Sequence, residues 1–280
     1  MRLSRSQICR RAAAAAASLA LGVASREAIA ADPTATQVVQ QMRAALEPDK
    51  PSVRQLELTV LGATPAEGSK FQLVQARKRL ADKRASLTVM MAPPSALGIA
   101  YLIEDKKGTA PGEYTYVPIV RRVRKLVGAE SQSPVLDSDF TFTDLGFVPP
   151  ETQDKIVGEE KVGSHDVYKI ESIPNPETQQ WYYSKIVTWI DKQSLFPVQR
   201  DFYSPAGQVF RIQTFGEVAR VDGVPTILET TMETVGAQSR SKLRTTSITY
   251  GDDLPDDLFS PAKLPEIVGA LEKIGANKAK

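Results

Sequence analysis

Apolar positions along the chain fall into two periods. Behind Thr34, a natural N-cap, Val38, Val39, Met42 and Leu46 recur at helical spacing until Pro48 and Pro51 close the segment. This predicts one amphipathic helix over 35–46. From Val53 onward the period becomes two, and strands are predicted over 53–61, 70–80, 85–91, 98–103 and 113–117, punctuated by Pro93-Pro94 and Lys106-Lys107-Gly108. The basic run from Arg121 is ambiguous, since Val120, Val123 and Val127 also suit a helical face; a strand is the preferred reading. Pro149-Pro150 and the polar residues after them mark the loosest point, where any subdivision would fall. After Lys155 the alternation resumes as a hairpin-like pattern to residue 174, with Tyr168 and Ile170 on one side, and continues through 186–190, 197–203, 208–220, 225–234 and 239–250. About ten strands with short turns argue for an antiparallel, highly curved sheet. Residues 254–259 read as a short helical turn, and Leu264, Ile267, Leu271 and Ile274 predict a second helix over 264–274.

The first thirty residues change the picture. Arg2, Arg5, Arg10 and Arg11 precede an uncharged, alanine-rich run from Ala12 to Ala24, and Ala28-Ile29-Ala30 offers small residues at cleavage spacing. That run is shorter than the roughly 20 apolar residues of a spanning helix, so the expectation is a cleaved signal peptide over 1–30 and a single domain over 31–280. Arg10-Arg11 leaves open whether export is by the general or the twin-arginine route. The formal charge of +2 also belongs to this segment, which holds five arginines and one glutamate; without it 30 basic and 32 acidic side chains remain, a net charge of −2. A nucleic-acid partner loses its support. Cys9 leaves too, which excludes disulfides, cysteine nucleophiles and thiolate zinc sites from the exported chain. The expected location is the periplasm.

Candidate catalytic groups are sparse. His165 is the one histidine and sits in a turn, Gly163-Ser164-His165-Asp166, where an exposed polar role explains it; no Gly-x-Ser-x-Gly elbow accompanies it. Asp137, Asp139 and Asp144 share a segment with basic residues, so pairing or turn capping competes with acid/base work. Asp252, Asp253, Asp256 and Asp257 lack the spacing of a calcium loop. No enzyme activity, metal or cofactor is expected.

One stretch resists explanation as generic β-structure. Tyr114-x-Tyr116-x-Pro118 is followed by Arg121, Arg122, Arg124 and Lys125 interleaved with Val123 and Leu126, then by Ser138-Asp139-Phe140 and Asp144-Leu145. With the stretches 87–102, 158–174 and 188–211 in the same order, this resembles the outer-membrane lipoprotein-sorting proteins, relatives of the LolA and LolB carriers. The resemblance implies an incomplete β-barrel of about ten to eleven antiparallel strands, with N- and C-terminal helices closing over an apolar cavity that accepts acyl chains. It also implies a role in carrying acylated lipoprotein or lipid between membranes, with an inner-membrane exporter, an outer-membrane acceptor and transient membrane contact, as a monomer.

A carrier has a physical requirement the pattern can meet. At about 0.8 kcal/mol per methylene, a sixteen-carbon chain in water costs on the order of 12 kcal/mol unless covered. Every second residue of a curved sheet points inward. On alternation the candidate lining is Leu87, Val89 and Met91; Ile99, Tyr101 and Ile103; Ile186 and Ile190; Phe210 and Ile212; and Leu228 and Met232. The same alternation would also serve a packed core. Tyr114 and Tyr116 could border the cavity mouth or pack on the sheet. Arg121, Arg122, Arg124 and Lys125 could blunt a strand edge, or meet a headgroup, an anionic membrane or an acidic partner. A lipid-free adaptor of an envelope transport complex, and an envelope hydrolase built on the carboxylates, are the alternatives.

Overall fold

The structure, a computed structural model, describes residues 33–46, 48–62, 68–106, 109, 111–146, 152–175 and 183–278. The expected signal over 1–30 and the subdivision point at Pro149-Pro150 lie outside the described residues.

Among the described residues thirteen strands make one antiparallel sheet. In chain order they are β1 (Ser52–Leu61), β2 (Ser69–Arg79), β3 (Arg84–Ala92), β4 (Ala100–Asp105), β5 (Gly112–Val117), β6 (Arg122–Leu126), β7 (Thr152–Val162), β8 (His165–Pro174), β9 (Lys185–Asp191), β10 (Pro197–Tyr203), β11 (Val209–Val221), β12 (Val224–Thr234) and β13 (Ser239–Tyr250). Every strand pairs with its neighbours in sequence, except that β1 also pairs with β13 and that β6 and β7 are the two free edges. The sheet is therefore an incomplete barrel. The ambiguous basic run is a strand, because Tyr116 pairs with Val123 and Thr115 with Arg124 along β5. Charge protects both edges from further pairing, with Arg122, Arg124 and Lys125 exposed on β6 and Glu159, Glu160 and Lys161 exposed on β7.

The pleat sorts side chains to two faces. On one face of β2–β5, Ala76, Leu87, Val89, Ala100, Leu102 and Tyr116 pack under the C-terminal segment through Leu254, Leu258, Phe259, Leu264, Ile267 and Leu271. This segment runs as 3-10 turns (Asp256–Phe259 and Pro261–Glu266) into a helix over Ile267–Lys278. Pro265 has no N–H to give an α-helix, so the regular helix begins later than the expected 264. Burying each of Leu87, Leu102 and Leu264 contributes roughly 1.5–3 kcal/mol. The opposite face carries Leu56, Leu58, Leu73 and Met90.

Helix α1 (Ala35–Leu46) starts with a capping box, in which the Gln37 N–H donates to Thr34 Oγ1 at 3.3 Å and the Thr34 N–H donates to Gln37 Oε1 at 2.8 Å. Its apolar stripe, Val38, Val39 and Met42, packs on Ile170 and Ile190 of β8 and β9. Among the described residues no helix is long and apolar enough to cross a membrane.

Candidate functional site

The connection from β6 to β7 enters the inner face of the sheet. Val135, Phe140 and Leu145 sink among Leu56, Leu58, Leu73 and Met232. Phe142–Gly146 is a short helix, α2, whose Asp144 Oδ2 accepts from Thr141 N at 2.7 Å and Thr141 Oγ1 at 2.8 Å, capping its first turn.

Polar contacts lock this plug in place. Asp139 accepts from the hydroxyls of Thr234 (2.6 Å), Ser239 (2.5 Å) and Ser241 (2.7 Å) on β12 and β13. Arg211 of β11 donates to the Asp139 carbonyl oxygen at 2.6 Å, to Asp144 Oδ2 at 2.5 Å and to Tyr183 Oη at 2.6 Å. Burial works against the Arg211 charge, but Asp144 outweighs it and holds the guanidinium above its usual range. The Ser138-Asp139-Phe140 and Asp144-Leu145 motifs are thus a docking device. The carboxylates once open to a hydrolytic reading are spent on it, apart from Asp137, which is exposed.

A second inward carboxylate, Glu113, accepts from Tyr101 Oη at 2.8 Å, and burial raises its pKa above the ordinary value. His165 is half exposed, with Nδ1 3.0 Å from Asp191 Oδ2, where Asp191 also accepts the Ser194 N–H and caps the turn after β9.

Between α1 and the plug the inner face stays open. One cleft of about 100 Å³ is walled by Leu46 of α1, Leu56, Gln75, Phe140, Leu145, Gln213, Phe215, Leu228, Leu243 and Thr245. An adjoining cleft of about 60 Å³ is walled by Asp49, Arg84, Ser86, Ile103 and Asp105. Leu46, Arg54, Arg77 and Tyr250 belong to both. Both are small beside the few hundred cubic ångströms, about 300 or more, of an ordinary small-molecule site, and their walls mix apolar and polar groups.

The expected lining residues divide by face. Leu87, Val89 and Met91 lie under the C-terminal segment, on the side away from the clefts. The register causes this: Leu87 pairs with Leu102 and Thr88 with Tyr101, so β3 and β4 share faces one residue out of step with the expected set. Tyr101 and Ile103 are inward with Leu126 and Phe142, and Ile103 reaches the smaller cleft. Ile99 and Ile186 pack beside the plug, Ile190 lies under α1 and Met232 is fully buried. Phe210 lies tilted at 5.5 Å from Tyr183, at a third and more open cleft of about 360 Å³ beside Arg211. Ile212 alternates with the inward Arg211 and Gln213 and so takes the other face. Leu228 walls the first cleft.

Tyr114 and Tyr116 pack under the C-terminal segment rather than at a mouth. Arg121, Arg122, Arg124 and Lys125 are exposed beside Ile119 and Val120, which are 90% and 62% exposed. Arg124 pairs with Glu130 at 2.6 Å. Missed altogether were the inward arginines Arg54, Arg77 and Arg211, which alternation treats as surface positions.

A family model described as an uncharacterized protein matches residues 82–266, more than half of the chain. No curated protein matches it. Among solved structures, one described as an outer membrane lipoprotein-sorting protein domain from Vibrio parahaemolyticus is 22% identical over 82% of this chain and 97% of its own, with a TM-score of 0.73. A DUF1329 family protein from Desulfovibrio piger is 20% identical over 81% and 96%, with a TM-score of 0.76. A LolA superfamily protein from Nitrosomonas europaea is 17% identical over 82% and 98%, with a TM-score of 0.67. At these identities the likeness is one of fold.

Proposed function

The chain belongs to a LolA-like family, and from that premise we propose that it is a carrier of acylated lipoprotein or lipid in the periplasm. The observation that carries this reading is the pair of adjoining clefts on the inner face of an unclosed sheet, roofed on one side by α1 and on the other by the plug. In this reading residues 1–30 are an export signal that is removed, residues 31–280 act as one domain, and the protein works as a monomer without catalysis. It receives cargo from an inner-membrane exporter and delivers it to an outer-membrane acceptor through brief membrane contact.

The test is to isolate the protein from its native envelope and extract it for mass spectrometry. Phospholipid or acylated peptide near one equivalent is expected, and a protein that emerges without either overturns the reading.

The exposed Ile119 and Val120 beside four basic residues favour a second reading, an adaptor that docks on a transport complex and carries no lipid. Arg122→Glu with Arg124→Glu would then abolish capture of a protein partner while leaving the fold intact. A lipid-loaded protein whose partners are unchanged by those substitutions rules it out.

A further inference from the structure

The arginines of this inner face are not alike. Arg211 has three oxygen acceptors, one of them a carboxylate, as a structural arginine should. Arg54 and Arg77 have no carboxylate partner among the described residues. Each is part-exposed overall, and the Nε of each is enclosed without a hydrogen-bond acceptor, as that of Arg211 also is, so the missing carboxylate is what sets the pair apart. The register brings them together: Ser52 of β1 stands between Arg77 of β2 and Tyr250 of β13, and Arg54 lies two residues along β1 on the same face. Tyr250 bonds to Arg54, and its hydroxyl lies 2.9 Å from Thr226 Oγ1. The nearby carboxylates answer other cations, Asp49 pairing with Arg79 at 2.5 Å, Asp144 with Arg211, and Asp105 facing the charges of Arg84 and Arg43. Gln75, opposite Arg54, donates to Thr88 Oγ1 and to the Leu145 carbonyl oxygen.

Two like charges held side by side with little water around them are costly unless something answers them. Burial, and then the Arg77 charge, lowers the Arg54 pKa from 12.5 to about 9; burial lowers that of Arg77 to about 10. Since a guanidinium keeps its proton at neutral pH, both remain cationic and uncompensated. Their planar forks suit oxyanions, and the cleft beyond them turns apolar at Leu56, Phe215, Leu228 and Leu243.

We infer that Arg54, Arg77 and Tyr250 form an anion cradle in the shared wall of the two clefts, which takes the phosphate or carboxylate group of an amphiphile whose apolar part lies along the larger cleft. The apolar half of this assignment rests on the carrier reading; the cradle does not.

The test compares lysophosphatidic acid with a monoacylglycerol of the same acyl chain, and with inorganic phosphate alone, by calorimetry on the purified protein. The wild type is expected to bind the anionic lipid at least about tenfold more tightly than the neutral one. Arg54→Gln and Arg77→Gln are expected to erase that preference while neutral-lipid binding persists, with thermal unfolding as the check on folding. Tyr250→Phe, which removes one hydroxyl, should narrow the preference and serves if an arginine variant does not fold. Equal binding of the two lipids by the wild type, or a preference retained in the arginine variants, overturns the cradle and leaves the carrier reading standing. Phosphate binding that the arginine variants lose, without binding of either lipid, upholds the cradle and sinks the carrier reading. Binding of none of the three sinks both.

Discussion

Replacing Arg211 by methionine should test whether the plug is held by charge or only by grease. The Arg211 and Asp144 side chains are 6% and 11% exposed, so the substitution strands a carboxylate that water barely reaches. Removing one partner of a buried pair costs about 3–5 kcal/mol, much of it the penalty of the charge left behind. For a domain of this size, where 1 kcal/mol moves the midpoint by about 2–4 °C, Tm should fall by roughly 6–20 °C. Local undocking is a poor escape, because it would expose Phe140 and Leu145, each worth about 1.5–3 kcal/mol when buried.

Adding Asp144→Asn separates the causes. The amide still accepts the Thr141 N–H and keeps the cap of α2, but removes the stranded charge. The double variant should therefore recover about half of the loss, leaving roughly 1.5–2.5 kcal/mol for the missing hydrogen bonds. Scanning calorimetry gives the midpoints, and hydrogen exchange over 134–146 gives the local opening. A fall of under about 3 °C for Arg211→Met, or a double variant no more stable than the single one, refutes the reasoning.

Two further substitutions probe the inner face. Because burial raises the Glu113 pKa above its unfolded value, the protonated form favours the fold, and its ionisation costs stability as pH rises through that raised value. Glu113→Gln should accordingly raise Tm at pH 7, while the difference from wild type fades below about pH 4, where Glu is protonated in both states; a gain that persists unchanged at low pH would contradict this. Arg77→Met should stabilise the unliganded protein by on the order of 1 kcal/mol, read from denaturant midpoints, since it removes one of two like charges held side by side. A loss of stability would mean that Arg77 has a structural partner.

Much of the architecture was legible because its signals are local. The 3.6-residue stripe of α1, the Thr34 cap and the alternation of nearly every strand can be read from neighbouring residues. Facing was another matter. Leu87 and Tyr101 each look inward from their own strands, and only the pairing of β3 with β4 decides that they point apart. The plug was visible as an odd motif, but its purpose depends on Ser241 and Arg211, which meet it only across the folded sheet. The arginines at 54 and 77 escaped notice because charged residues are assigned to water by default, a rule that fails where a cavity needs a counter-charge.

The pairing of the first strand with the last has a kinetic consequence. β1–β6 and β7–β13 are each simple meanders whose hairpins close over short spans, so both can zip up as soon as they are made. The join between them, where Ser52 meets Tyr250, must wait for the last strand to be synthesised. Until then β1 presents a bare edge of hydrogen-bonding groups to the cell, and this late, non-local closure should set the pace of folding and the interval in which the chain is most exposed to aggregation.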